Sequence, residues 1–321
     1  MLTKSTYVYA QHAGVDIECD VYEGPAYPLS SPVFLFFHSG GLVGGARERL
    51  APWIVQACYQ RKWTLISADY RLLPQVKAQG LLEDASAAYN FARSWRGSCR
   101  RVIVAGASAE GFVMAALTAH HLKPQPLALF GITPITTFQH PFFTSSILLT
   151  PEPLTAEYMG CTLDPNGPVI SRYDNGPTPF DIERLTPSGE KHPEYVVPEK
   201  MPLDDPRCYL YGYYLNHNQF PSLVGSVDSG YGAVCPEAEE PPLRNKEWPP
   251  TVIFHGDDDY DVSMDVSVHM AQSLGEHRIK VFLAEGQGHL FECEWFLEEE
   301  DPAMAAVREA LECLTDIAEG P

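Results

Sequence analysis

Four short, almost uninterrupted apolar runs constrain the fold of this chain more than any other feature. They are Val33–Phe37, Thr64–Ala68, Arg101–Ala105 and Thr251–Phe254. Strands that are apolar along their whole length are covered on both faces, as in a parallel sheet. Helical patterns separate these runs, for example over Leu81–Trp95. The alternation predicts a doubly wound α/β fold with a mostly parallel sheet.

Further elements flank these runs. Tyr7–Tyr22 alternates polar and apolar residues around a turn at Ala13-Gly14, which predicts an N-terminal antiparallel hairpin. The remaining predicted helices cover 112–122, 262–274 and 302–318, and one more strand covers 279–283. With 321 residues, the chain can form one large α/β domain with an insertion, or two smaller domains.

The segment 138–248 does not continue the alternation of strands and helices. It holds more than half of the chain's 28 prolines, together with many tyrosines and phenylalanines. A structureless loop of that length is improbable in a compact domain, and the aromatic content argues against disorder. We therefore predict a cap that is inserted after the sixth strand and folds over a catalytic core of residues 1–137 and 249–321. The alternative is a loosely packed, proline-rich excursion with no part in binding.

Charge and cysteine content limit the partners and the compartment. The formal net charge of −20 argues against nucleic acid or an anionic membrane as a partner, because both would repel this surface. The eight cysteines are scattered, with no Cys-x-x-Cys pair and no zinc-like spacing. We find no apolar run near the roughly 18 residues of a membrane span and no signal-peptide pattern. A cytoplasmic protein, as a monomer or homodimer, is expected.

Ser108 is the candidate nucleophile. It lies in Gly106-Ala107-Ser108-Ala109-Glu110-Gly111, between a predicted strand and a predicted helix. A serine in that strand–turn–helix context is lifted into a pocket, where the helix N-terminus can stabilise a developing oxyanion. The alternative is a serine that merely caps the helix.

Asp259 and His289 follow Ser108 in the order expected of a catalytic triad. Asp259 comes just after an apolar strand, where an acid could orient a histidine. His289 sits in a Gly-x-Gly-His turn after the last strand and is the candidate general base. Asp257 or Asp258 is the alternative acid, and His255 is expected to make structural hydrogen bonds. The aspartate run does not fit an EF-hand calcium loop, so we expect no metal.

Two further sequence features complete the candidate site. The run His38-Ser39-Gly40-Gly41 follows a strand, and its glycines let backbone N–H groups approach a substrate carbonyl, with the N–H of Ala109 as a further donor. A merely flexible glycine loop is the alternative. Glu110 occupies the place of the second glycine in the usual Gly-x-Ser-x-Gly pattern. It is expected either to point out of the elbow and complement the helix dipole, or to enter the site and alter the chemistry.

Taken together, these motifs resemble the hormone-sensitive-lipase-like branch of the α/β-hydrolases. The resemblance covers about residues 30–137 and 249–315 and includes Asp69-Tyr70-Arg71-Leu72-Leu73-Pro74. It implies that Gly40, Gly41 and Ala109 are the oxyanion donors, and that the Asp69–Pro74 segment and Asp84 are structural braces. The family's first motif is usually His-Gly-Gly-Gly, so Ser39 is a second departure. The chain also looks like hydrolases of fungal secondary metabolism.

The function predicted by this resemblance is a serine hydrolase that cleaves a carboxylic ester of a small, lipophilic molecule and needs no cofactor. The alternative is an enzyme of the same fold that catalyses a non-hydrolytic cyclisation or elimination, in which Ser108 or Glu110 transfers protons. A receptor-like binding protein on this fold is the third possibility, and the complete set of triad residues argues against it.

Overall fold

The structure is a computed structural model. It describes residues 2–12, 14–97, 99–120, 124–174, 180–196, 205–232 and 247–320. Ala13 of the predicted hairpin turn lies outside these ranges, as do residues 175–179, 197–204 and 233–246 of the predicted cap.

The described strands form one mixed, eight-stranded sheet. They are β1 (Thr3–His12), β2 (Val15–Glu23), β3 (Val33–Phe37), β4 (Thr64–Ala68), β5 (Val102–Ala107), β6 (Ala128–Ile132), β7 (Thr251–Gly256) and β8 (Ile279–Ala284). Their order across the sheet is β1-β2-β4-β3-β5-β6-β7-β8. β1 pairs antiparallel with β2 and β2 with β4, whereas all other neighbours are parallel. The predicted sheet and its N-terminal hairpin are confirmed.

Helices cover both faces of this sheet. The described α-helices are α1 (Pro52–Arg61), α2 (Ala78–Ser94), α3 (Glu110–His120), α4 (Ala156–Met159), α5 (Leu210–Asn216), α6 (Phe220–Val224), α7 (Asp265–Leu274) and α8 (Met304–Glu319), of which α4, α5 and α6 belong to the inserted segment. The buried residues of α2, α3 and α7 belong to one core cluster, and those of α1 and α8 to the other. None of the helices in the described ranges combines the length and the apolar surface that a bilayer span requires.

The strand β3 shows why the central strands are apolar throughout. Val33, Leu35 and Phe37 pack into the cluster under α2 and α3, whereas Phe34 and Phe36 pack into the cluster under α1 and α8. Successive side chains of a strand point to opposite faces, so a strand covered on both sides must be apolar at every position. Each fully buried side chain of this size stabilises the fold by roughly 1.5–3 kcal/mol.

The segment between β6 and β7 is packed onto the core over its described part. Phe138 stacks on Phe220 at a centroid distance of 4.7 Å and meets Phe112 of α3 at 5.2 Å. The Arg207 guanidinium donates to the carbonyl oxygens of Val43 and Leu73, both at 2.9 Å. These contacts join the inserted segment to α3 and to the loops that follow β3 and β4.

Candidate active site

Ser108 occupies the sharp turn between β5 and α3. Its φ of 59° lies in the left-handed region, which costs a non-glycine residue roughly 1–2 kcal/mol. Its N–H donates to the carbonyl of Ile132 at 2.9 Å, and its own carbonyl accepts from the N–H of Ile135 at 2.8 Å. These bonds to the end of β6 and the loop beyond it hold the serine in this conformation.

Gly106 and Gly111 make this tight turn possible. A Cβ at Gly106 would lie 2.3 Å from the carbonyl oxygen of residue 110, and a Cβ at Gly111 would lie 2.4 Å from the Pro134 side chain. Non-bonded heavy atoms do not approach this closely, so a Cβ at either position would force the backbone or the neighbouring residue to shift. The second small residue of the elbow is therefore residue 111, which leaves position 110 free to carry a side chain.

The structure brings Ser108, His289 and Asp259 together in one hydrogen-bonded chain. His289 Nε2 lies 2.8 Å from Ser108 Oγ, and His289 Nδ1 lies 2.7 Å from Asp259 Oδ2. Of the alternative acids, Asp257 accepts from the N–H of Gly286 and Asp258 is exposed. When Nδ1 carries the proton, Nε2 can accept the hydrogen of the serine hydroxyl.

Asp259 is held as a carboxylate by its surroundings. Burial alone would raise its pKa, but hydrogen bonds from His255 and His289 outweigh that effect and lower the pKa to about 2. The backbone N–H of Val262 donates to its other oxygen at 2.9 Å. His255 itself is buried between this carboxylate and the hydroxyl of Ser267, which lies 2.8 Å from its Nδ1. An ionised acid that is fixed in this way can orient the His289 ring.

Gly40 and Gly41 lie in the loop after β3, and both have positive φ. A Cβ at Gly41 would lie 2.7 Å from the ring of Tyr211, which belongs to the inserted segment. The Tyr211 hydroxyl in turn donates to the carbonyl of Asp261, two residues after Asp259. One side chain of the inserted segment thus contacts both the glycine loop and the loop that carries the acid. Ala109, the third expected donor, is fully buried at the start of α3.

The expectation that Glu110 points out of the elbow is wrong. Its side chain is fully buried, and its Oε1 accepts hydrogen bonds from the backbone N–H of Leu42, at 3.0 Å, and from the Tyr70 hydroxyl. Burial raises the Glu110 pKa to about 8. Because Leu42 directly follows Gly41, Glu110 ties the nucleophile turn to the glycine loop.

Asp69 and Asp84 make the buried contacts expected of structural braces. Asp69 accepts from the backbone N–H of Arg47 at 2.7 Å, and the Arg47 guanidinium also bonds Asp20 at 3.1 Å. Asp84 accepts from both the backbone and the guanidinium of Arg71, at 2.9 Å. Both networks fix the loops that flank the glycine run. Sequence reasoning missed Arg47 because an arginine in a loop, with Arg49 only two residues away, carries no periodic signal.

A cavity of about 250 Å³ lies near the Ser108–His289 pair, although neither of these residues lines it. Ala107 and Leu290, the immediate neighbours of these two residues in the chain, both line it. Glu292 also lines it and is only 1% exposed. Sequence reasoning missed Glu292, since several glutamates follow His289 and nothing in their spacing marks one as buried.

Comparison with known proteins agrees with this architecture. A family model for the alpha/beta hydrolase fold matches residues 34–162, a range that includes the glycine loop and Ser108. An alpha/beta hydrolase superfamily protein from Enterococcus faecalis superposes with a TM-score of 0.68 over 99% of both chains, at 17% identity. This chain has the α/β-hydrolase fold. The resemblance to α/β-hydrolases drawn from the motifs is thereby confirmed.

Other similar proteins include esterases and large synthases. An esterase of Thermogutta terrifontis with bound propionate superposes with a TM-score of 0.52, at 17% identity, over 97% of this chain and 92% of its own. Lipase 2 of a Moraxella species is 33% identical over 94 residues, which are 28% of this chain. A non-reducing polyketide synthase of Preussia isomera is 26% identical over 90% of this chain. The chain spans only 22% of the lipase and 12% of the synthase.

Proposed function

We propose that this α/β-hydrolase-fold chain is a serine hydrolase that cleaves a carboxylic ester through an acyl-enzyme. The hydrogen-bonded chain from Ser108 through His289 to Asp259 is the observation that supports this proposal most directly. The matched family and the esterase among the structural neighbours support hydrolase chemistry in general.

The reaction begins with proton transfer from Ser108 to His289. As the serine Oγ forms a bond to the ester carbonyl carbon, Nε2 takes the hydroxyl proton and the carbonyl oxygen becomes an oxyanion. The carbon–oxygen bond to the alcohol then breaks, and His289 returns the proton to the leaving alcohol. Water repeats both steps on the acyl-enzyme, which releases the acid and restores the serine. Throughout, ionised Asp259 stabilises the imidazolium.

The oxyanion is assigned to the backbone N–H groups of Gly40, Gly41 and Ala109. Donors of this kind stabilise charge where it develops, and losing one costs roughly 3–4 kcal/mol of transition-state stabilisation. The loop that carries the two glycine donors is fixed from behind by Glu110 through the N–H of Leu42. Glu110 therefore serves as a positioning residue in this proposal.

Residues 138–248 act as the cap in this proposal, and the substrate is a small lipophilic ester. The contact of Tyr211 with the glycine loop supports a part for this segment in shaping the site. Similarity to non-reducing polyketide synthases supports a substrate from secondary metabolism. The mechanism uses only side chains, backbone N–H groups and water, so it needs no cofactor. The cytoplasmic location and the monomeric or dimeric state stay predictions.

The non-hydrolytic alternative would need Glu110 or Ser108 to exchange protons with the substrate. One oxygen of the Glu110 carboxyl already accepts two hydrogen bonds, the other has no partner among the described residues, and the side chain is fully buried behind the glycine loop. This arrangement favours a positioning part for Glu110 over proton transfer to a ligand.

Covalent labelling and ester turnover test the proposal together. We expect a fluorophosphonate to label the wild-type protein at Ser108, as shown by peptide mass spectrometry, and to leave Ser108→Ala unlabelled. We also expect wild type to hydrolyse p-nitrophenyl acetate or butyrate. A protein that is neither labelled nor active on a range of p-nitrophenyl esters would overturn the hydrolase proposal.

A further inference from the structure

The cavity beside the reacting pair has a size that restricts its ligand. It has a volume of about 250 Å³. In another protein, an engineered apolar cavity of about 150 Å³ binds benzene. The space here therefore accommodates a six-membered ring with one or two small substituents.

The walls of the cavity are mostly apolar. The hydrophobic residues that line it are Phe36, Leu50, Ala51, Ile54, Ala107, Ile132 and Leu290. They come from the ends of β3, β5 and β6, from α1 and the residues just before it, and from the residue after His289. This apolar part of the lining favours a ring.

Four polar side chains also line the cavity: Ser39, Arg49 and Glu294 are partly exposed, whereas Glu292 is buried. The Oε2 atom of Glu292 has no hydrogen-bond partner among the described residues. The neighbouring Glu294 also lines the cavity, but its carboxylate is paired with Arg184 at 3.0 Å. Leaving a buried polar atom unpaired costs roughly 1–3 kcal/mol, a cost that a ligand able to bond it would remove.

We propose that this cavity binds a hydroxyl-bearing six-membered ring of the ester substrate, with the Glu292 carboxyl as the hydrogen-bond partner of the hydroxyl. The inference rests on the proposed hydrolysis at Ser108, since Ala107, the residue before Ser108, lines the cavity. A hydroxyl suits Glu292 because it can donate to a carboxylate and accept from a carboxylic acid. Burial raises the Glu292 pKa to about 7, so both forms exist near neutrality.

Paired substrates measure this recognition directly. For a ring on the acyl side, p-nitrophenyl benzoate is compared with its 3- and 4-hydroxy derivatives. For a ring on the alcohol side, phenyl acetate is compared with 3-hydroxyphenyl acetate. Each kcat/KM is divided by the rate of hydroxide-catalysed hydrolysis, which removes the intrinsic effect of the substituent. We expect the corrected kcat/KM of wild type to be about tenfold higher for the hydroxylated ester in one of these two comparisons. The comparison that shows the preference also shows whether the ring belongs to the acyl or the alcohol part of the substrate.

Variants at Glu292 decide whether that side chain is responsible. We expect Glu292→Leu to lose the preference and Glu292→Gln to retain part of it, because an amide still bonds a hydroxyl. Glu294→Gln is the matched control, and we expect it to keep the wild-type ratio. Leucine removes an unpaired buried carboxyl, so this variant should fold. An equal ratio in wild type and Glu292→Leu, in both arms, would overturn the proposal.

A binding measurement separates this inference from the proposed function. Calorimetry with phenol and with toluene needs no turnover and can be done on Ser108→Ala. We expect phenol to bind more tightly than toluene, and Glu292→Leu in that background to bind the two alike. If all esters and the fluorophosphonate fail while this difference holds, the hydroxyl site stands and hydrolysis is wrong. If phenol shows no advantage, the hydroxyl site is wrong whatever the esterase result.

Discussion

Replacing Glu110 by glycine would restore the usual small residue after the nucleophile, yet we expect it to slow ester hydrolysis strongly. The carboxyl oxygen that bonds the Leu42 N–H fixes the loop bearing Gly40 and Gly41. Without that bond, the loop can move away from the position at which its N–H groups meet the oxyanion. Loss of one such donor lowers kcat by about 10²- to 10³-fold. We expect a loss of at least 100-fold in kcat with a smaller change in KM.

The stability of Glu110→Gly should change much less, because two effects oppose each other. The N–H of Leu42 and the hydroxyl of Tyr70 lose their acceptor, at roughly 1–3 kcal/mol for each buried donor. Removing a buried acid whose pKa is raised to about 8 recovers about 3 kcal/mol at pH 7, at about 1.4 kcal/mol per pKa unit. The rate is therefore the decisive measurement, and the free energy of unfolding is the control for folding.

Two further variants isolate the contact with Leu42. Glu110→Gln keeps an acceptor oxygen in place, and Tyr70→Phe removes one donor while leaving the bond to Leu42 intact. We expect both to hydrolyse p-nitrophenyl butyrate with a kcat within about fivefold of wild type. The reasoning is refuted if Glu110→Gly is as fast as wild type. If Glu110→Gln is instead as slow as Glu110→Gly, an acceptor oxygen at this position is not sufficient, and the positioning role of Glu110 through Leu42 is wrong.

Three other predictions follow from the described contacts. We expect kcat to fall by about 10⁴-fold or more in each of the variants Ser108→Ala, His289→Ala and Asp259→Asn, and the double variants to be little slower than the single ones. If Ser108→Ala kept half of the wild-type activity, the proposed triad would be wrong. Burial raises the Glu292 pKa to about 7, so the folded state keeps a proton that the unfolded chain releases above about pH 4.5. The free energy of unfolding of wild type therefore falls as the pH rises from about 4.5 to about 7. As the pH rises from 4 to 8, the free energy of unfolding of Glu292→Gln should therefore rise by on the order of 3 kcal/mol relative to that of wild type, as measured by urea denaturation. A difference that does not change with pH would contradict the burial of this acid. Arg207→Met should lower the free energy of unfolding by about 3 kcal/mol, since it leaves buried carbonyl oxygens unpaired, and a loss under 1 kcal/mol would show that the inserted segment is not anchored there.

The sheet could be predicted from sequence because its strands are covered on both faces, which imposes an unbroken apolar run. The same burial hid α1 and the limits of β6, a strand that is expected before the insertion but has no predicted range. Residues 52–58 of α1 are all buried, so that half of the helix has no polar face to reveal a 3.6-residue period. In β6, Gly131 interrupts the apolar run, and its tight packing against Pro134 is visible only in three dimensions.

The candidate site divides in the same way. Ser108, Asp259 and His289 could be found because each follows a strand, and the ends of parallel strands meet at one edge of the sheet. The direction of the Glu110 side chain could not, because it depends on Leu42 and Tyr70, which lie 68 and 40 positions away in the chain. Spacing identifies residues that share an element, whereas a contact between loops depends on tertiary packing.

The left-handed backbone of Ser108 has a consequence for how this protein responds to selection. Glycine adopts that conformation freely, so Ser108→Gly should be more stable than wild type by roughly 1 kcal/mol while lacking a nucleophile. A library screened only for heat resistance would therefore enrich inactive clones at this position. Engineering of the scaffold needs a screen for turnover at every round, because thermal tolerance and reactivity favour different residues at position 108.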